Sequence, residues 1–98
     1  MFIHMTVVWI DALQVEVAVR ILAERLSEKD RGIPDGLVKS HLLESMDEPG
    51  RIIWLSYWTA HSKAQAYVTS REYATWFDQL QPYMISGPEW KSYRVLEK

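Results

Sequence analysis

Six side chains carry most of the chemistry open to this sequence: His41, Trp54, Trp58, Tyr67, Tyr73 and Trp76. An imidazole with an ordinary pKa near ~6.5 is well matched to taking a proton from a phenol or quinol at neutral pH. Indole and phenol rings can stack on a planar molecule, and their N–H and O–H groups can hold its oxygens. A base beside a wall of rings outlines a site for a small aromatic molecule. The same residues also have a plainer reading, as a hydrogen-bonded structural histidine and as rings packed into a core.

The elements that must position these groups follow from periodicity and breakers. Phe2 to Ile10 is β-branched and aromatic in both alternation phases, which suits a strand covered on both faces. Asp11 to Gln14 resembles a capping box, and a helix should run on to about Lys29 with Val15, Ala18, Val19, Leu22 and Leu26 on one stripe. Gly32 to Gly36 breaks it, and Leu37 to Ser45 reads as a second strand. Pro49-Gly50 fits the centre of a type II turn, and Arg51 to Trp58 returns as the third strand. Ser62 to Gln65 and Thr69 to Glu72 are two more capping boxes, so the second helical region should break near Ser70. Tyr73, Trp76, Phe77 and Leu80 then share a face until Pro82, and Pro88 to Leu96 supplies a last strand.

The order is that of an α+β, ferredoxin-like βαββαβ sandwich over a single domain, residues 1–98, with both helical regions on one face of a four-stranded antiparallel sheet. The strands are apolar on both faces and the helices cover only one. A second copy packed on the bare face, through Leu42, Ile53, Leu55 and Tyr57, is therefore predicted.

Hairpin parity decides which side chains meet. With an even number of residues in the loop, either Pro49-Gly50 or Asp47 to Gly50, directly paired residues share a face. Leu37, Lys39, His41, Leu43 and Ser45 then lie with Ile52, Trp54, Ser56 and Trp58, and Val38, Ser40, Leu42 and Glu44 lie with Ile53, Leu55 and Tyr57.

Composition narrows the possible partners. Ninety-eight residues with a 48 % hydrophobic share, five Trp and five Tyr are ample for one small core. Eleven Lys plus Arg against thirteen Asp plus Glu give a formal charge of −2 without a basic run, so nucleic acid is not an expected partner. Cysteine is absent, which removes disulfides, thiolate ligands and a Cys nucleophile. The N-terminus lacks a basic region and a cleavage site and is too short to span a bilayer, so a soluble cytoplasmic protein is expected, with no membrane partner. His4 and His61 have no ligand at metal-binding spacing, and no phosphate loop, nucleophile elbow or zinc pair occurs.

The Gly36-Leu37 start, the Leu42-Leu43 pair, the hairpin, a strand ending in Trp58 and a helix bearing Ala66 and Tyr67 resemble antibiotic biosynthesis monooxygenase domains over nearly the whole chain. The resemblance implies a dimeric α/β barrel with a ligand cavity on the Trp58 side of the sheet. It also implies a cofactor-free reaction in which the deprotonated substrate supplies the electrons. The quinone-forming members resemble one another in an Asn four positions before that Trp; here the position holds Trp54, which can donate one hydrogen bond and accept none. The Asn, Trp and His of the haem-degrading branch correspond here to Met5 or a neighbour, Tyr67 and Phe77, so that route is not expected.

The expected function is thus a monooxygenase using no metal or organic cofactor on an aromatic, quinol or polyketide-like molecule. His41 would be the catalytic base, with Trp54, Trp58, Tyr67, Tyr73 and Trp76 binding substrate. The alternative is a non-oxygenating isomerase or cyclase, or a ligand-binding dimer without turnover. A space of about 300 Å³ or more between Trp54, Trp58 and Tyr67 would mark a small-molecule site, whereas a filled interior would favour a structural role.

Overall fold

The computed structural model describes residues 1–27 and 34–97, with side chains described outside 25–27. Four strands form one antiparallel sheet: β1 (Phe2–Ile10), β2 (Leu37–Glu44), β3 (Arg51–Trp58) and β4 (Met84–Arg94), in the order β2-β3-β1-β4. Three helices, α1 (Val15–Ser27), α2 (His61–Val68) and α3 (Arg71–Leu80), complete the ferredoxin-like α+β fold. Among the described residues, no helix is long and apolar enough to cross a membrane.

Local chemistry sets the helix ends. The Asp11 carboxylate accepts from the Leu13 amide at 2.9 Å, and a short 3₁₀ turn leads into α1. The predicted break at Ser70 is present: its hydroxyl accepts from the Tyr73 amide at 3.2 Å and starts α3. Thr69 ends α2 instead of opening α3, its hydroxyl donating back to the Gln65 carbonyl at 2.8 Å. Ser62 lies inside α2, which begins at His61 behind Ala60 without a side-chain cap. The last strand starts at Met84, earlier than Pro88. The expected end of the first helix near Lys29, the break at Gly32 and the Leu26 side chain lie outside the described residues.

The core lies between the sheet and the helices. Val8 and Ile10 from β1, Ile52 and Trp54 from β3, Ala18 and Leu22 from α1, and Tyr73, Trp76 and Leu80 from α3 pack into one buried cluster. Strand β3 alternates strictly: Ile52, Trp54, Ser56 and Trp58 are buried under the helices, while Ile53, Leu55 and Tyr57 are half-buried on the other face.

The hairpin register overturns part of the face assignment. Met46 to Gly50 is a five-residue loop. The Pro49-Gly50 turn is there, with the Arg51 amide bonded to the Glu48 carbonyl at 3.1 Å and φ +88° at Gly50. A Ser45 turn precedes it, the hydroxyl accepting from the Glu48 amide at 3.0 Å. An odd loop inverts the parity: Leu42 pairs with Trp54 and His41 with Leu55. Lys39, His41 and Leu43 therefore lie on the open face, and Ser40, Leu42 and Glu44 under the helices. Leu37 still shares the Trp58 side, because a register shift between Leu37 and Lys39 restores its phase.

Candidate functional site

The helix-covered face of β1 and β3 carries His4, Thr6, Trp54, Ser56 and Trp58, and α2 and α3 bring Tyr67, Tyr73 and Trp76 down onto it. All five ring residues expected in a site converge. Trp54 stacks on Tyr73 with centroids 5.7 Å apart and an interplanar angle of 16°. It meets Trp76 edge-on at 4.7 Å and Tyr67 edge-on at 6.0 Å, and Trp58 lies 5.6 Å from Tyr67.

These rings fill the interior instead of lining it. The void beside Thr6, Trp54 and Trp76 is about 10 Å³, the scale of a single water and far too small for an organic ligand. Trp58 is pinned by its indole N–H to the Ser56 hydroxyl at 2.8 Å, and that hydroxyl donates to the His4 carbonyl at 3.2 Å. The indole N–H groups of Trp54 and Trp76 are buried without a hydrogen-bond partner. Where the resemblance puts an oxyanion-holding Asn, this chain has a core indole.

His41 is not in this cluster. It is exposed on the open face, edge-on to Tyr57 at 6.0 Å, with the Lys39 ammonium 4.6 Å from the centre of the same ring. The sheet lies between it and the Trp54 side, so it cannot act on a molecule held against Trp54 or Trp58.

An open cavity lies one step outward. Between α3 and β4 runs a groove of about 500 Å³, walled by Tyr73, Phe77, Met84, Pro88 and Trp90, with Asp78 and Gln81 also lining it. Trp90 pairs with Thr6 across the sheet, which turns its ring to the helix side, and it remains 54 % exposed. Its indole N–H donates to the Tyr73 hydroxyl at 3.2 Å, and Thr6 Oγ1 lies 3.0 Å from the same oxygen. Burial raises the Tyr73 pKa above its ordinary value, and the hydrogen bonds from Thr6 and Trp90 only partly oppose that. At neutral pH Tyr73 therefore keeps its proton, its oxygen accepting from the Trp90 N–H and sharing a hydrogen bond with Thr6.

Sequence reasoning missed Trp90 because irregular pairing near Gly87 hides the phase of β4, and it missed Asp78 because a single carboxylate on the polar side of α3 carries no signal of its own. The one available signal was a lone Trp in an otherwise polar stretch, Glu89 to Ser92. His4 is buried on the helix side, and burial, helped by repulsion from His61, lowers its pKa. Among the described residues no group of three or more His, Asp or Glu converges as metal ligands would.

No family model matches the sequence, and no curated protein matches it. Solved structures do match in fold. A Nitrosomonas europaea protein provisionally named an antibiotic biosynthesis monooxygenase superposes with a TM-score of 0.81 at 18 % identity, covering 99 % of this chain and 100 % of its own. Proteins provisionally given the same name from Deinococcus radiodurans (TM-score 0.83, 14 % identity, 100 % and 95 % covered) and Caulobacter crescentus (0.82, 12 %, 98 % and 90 %) do likewise. The chain has the fold of the antibiotic biosynthesis monooxygenase structures over its whole length.

Proposed function

We propose that the chain is a small cofactor-free oxygenase that takes an aromatic, quinol or polyketide-like molecule into the groove between α3 and β4. The observation that carries this reading is the groove itself. Its volume of about 500 Å³ suits a small-molecule site, its walls bear rings, and the fold is one whose solved examples include provisionally named monooxygenases.

A deprotonated quinol can give electrons to dioxygen directly, so the protein's part is to position it, exclude water and steady the developing charge. Tyr73 suits the last task, because its hydroxyl stays protonated and is held by Thr6 and Trp90. No histidine lines the groove, and the substrate proton passes to solvent. A homodimer through the open sheet face belongs to the same reading. Ile3, Met5 and Trp9 extend the half-buried apolar surface of Ile53, Leu55 and Tyr57, with Leu43 in place of the inward-facing Leu42.

The alternative, an isomerase, cyclase or ligand-binding dimer, is favoured by Trp54 standing where the resemblance puts an Asn and by the filled interior. Oxygen consumption by chelator-treated protein separates the two. Uptake on a polycyclic quinol above its spontaneous oxidation, reduced about tenfold by Trp90→Ala, supports the oxygenase. Binding without uptake supports the alternative.

A further inference from the structure

The charge lining the groove narrows what it can hold, given that it is the small-molecule site proposed above. Among the described residues that line it, Asp78 is the one acidic side chain, and no Lys or Arg stands with it. Among the described residues Asp78 is exposed and makes no ion pair. It lies in the last turn of α3, whose carbonyl end adds negative potential at the same place. Phe77 and Trp90 also line the groove, and a cation laid on the face of either ring meets the negative side of its quadrupole. The carboxylate and the helix end thus share one sign, and the rings can accept the same cation.

Trp90 supplies the surface against which a ring could lie. An indole 54 % exposed on an edge strand gains little from burial, yet its N–H is tied to the Tyr73 hydroxyl at 3.2 Å. That bond fixes the ring in orientation while leaving it open to the groove.

We infer that the groove binds a planar aromatic molecule carrying a protonated amine, its ring against Trp90 and Phe77 and its ammonium beside Asp78 and the end of α3, where the ammonium also balances the charge of the deprotonated hydroxyl in the reading proposed above. An aromatic carboxylate, sulfonate or phosphate of the same size meets a field of the wrong sign.

Calorimetric titration of the full chain at pH 7.5 and low salt with three isosteres, 1-naphthylmethylamine, 1-naphthylmethanol and 1-naphthoate, tests this. The cation should bind about fivefold tighter than the neutral alcohol and the anion weakest, with the gap closing in salt. Asp78→Asn should erase the cation's advantage without changing affinity for the alcohol. Trp90→Ala should weaken all three by about fivefold or more. Both side chains are exposed, and a thermal melt verifies folding; should Trp90→Ala not fold, the Asp78→Asn comparison decides alone. Equal binding of cation and alcohol, tightest binding of the anion, or a cation preference that survives Asp78→Asn overturns the inference and leaves the groove a site. Failure of all three ligands to bind overturns the groove as well.

Discussion

Tyr73 joins core to groove, its ring stacked on Trp54 and its hydroxyl bonded to Thr6 and Trp90. Tyr73→Phe keeps the stacking and strands the Thr6 hydroxyl and the Trp90 N–H. It should lower unfolding free energy by about 1–3 kcal/mol in urea titration and slow quinol-dependent oxygen uptake. His4 makes stability pH-dependent. Its folded pKa is below the 6.5 of the unfolded chain, so its contribution is complete above 6.5 and falls as pH drops from there toward the folded value. Urea midpoints measured between pH 7.5 and 5 should decline, and His4→Gln should flatten that slope. His41 lies on the far face, and His41→Ala should leave oxygen uptake within about twofold of wild type, far short of the ~10²-fold loss expected for a general base.

Among the elements, those governed by local chemistry were legible and the hairpin phase was not. The Ser70 break, the Pro49-Gly50 turn and the stripe of Val15, Ala18, Val19 and Leu22 each follow from spacing or capping within a few residues, and the fold carries them. Parity between β2 and β3 depends on the loop count, and the Ser45 turn made that count odd. One residue's difference moved His41 out of the site and Leu42 into the core. The rings at Trp54, Trp58, Tyr67, Tyr73 and Trp76 meet on the helix side of the sheet, but whether rings surround a space or fill one depends on packing that spacing does not encode. Gly50 ties the hairpin to β1. Its carbonyl accepts from the Ile10 amide at 2.7 Å, its φ is +88°, and an added Cβ would lie 2.3 Å from the Ile10 carbonyl oxygen. Gly50→Ala should cost about 1–3 kcal/mol and lower Tm by about 4–8 °C for each kcal/mol, as followed by a thermal melt.

At the scale of the whole molecule, one sheet face is roofed by helices and the other is half-buried and apolar around Leu55. Two copies closing on that face would leave both grooves open on the helix sides. Leu55→Lys should dissociate or unfold the protein in sedimentation at micromolar concentration, because an unpaired buried ammonium costs several kcal/mol; a wild-type monomer there would refute the dimer. The central claim is that a small aromatic molecule enters the groove between α3 and β4 and not the ring-filled interior. Its most direct test is the set of five indole N–H resonances of ¹⁵N-labelled protein, one for each Trp, during titration with a polycyclic quinol. The account predicts that Trp90 shifts most, together with the backbone amides of Ala74 to Asp78 and Met84 to Trp90 (Pro88 has none), while Trp58 stays in place. Dominant shifts at Trp58 and Tyr67, at His41 on the open face, or at no residue would contradict it.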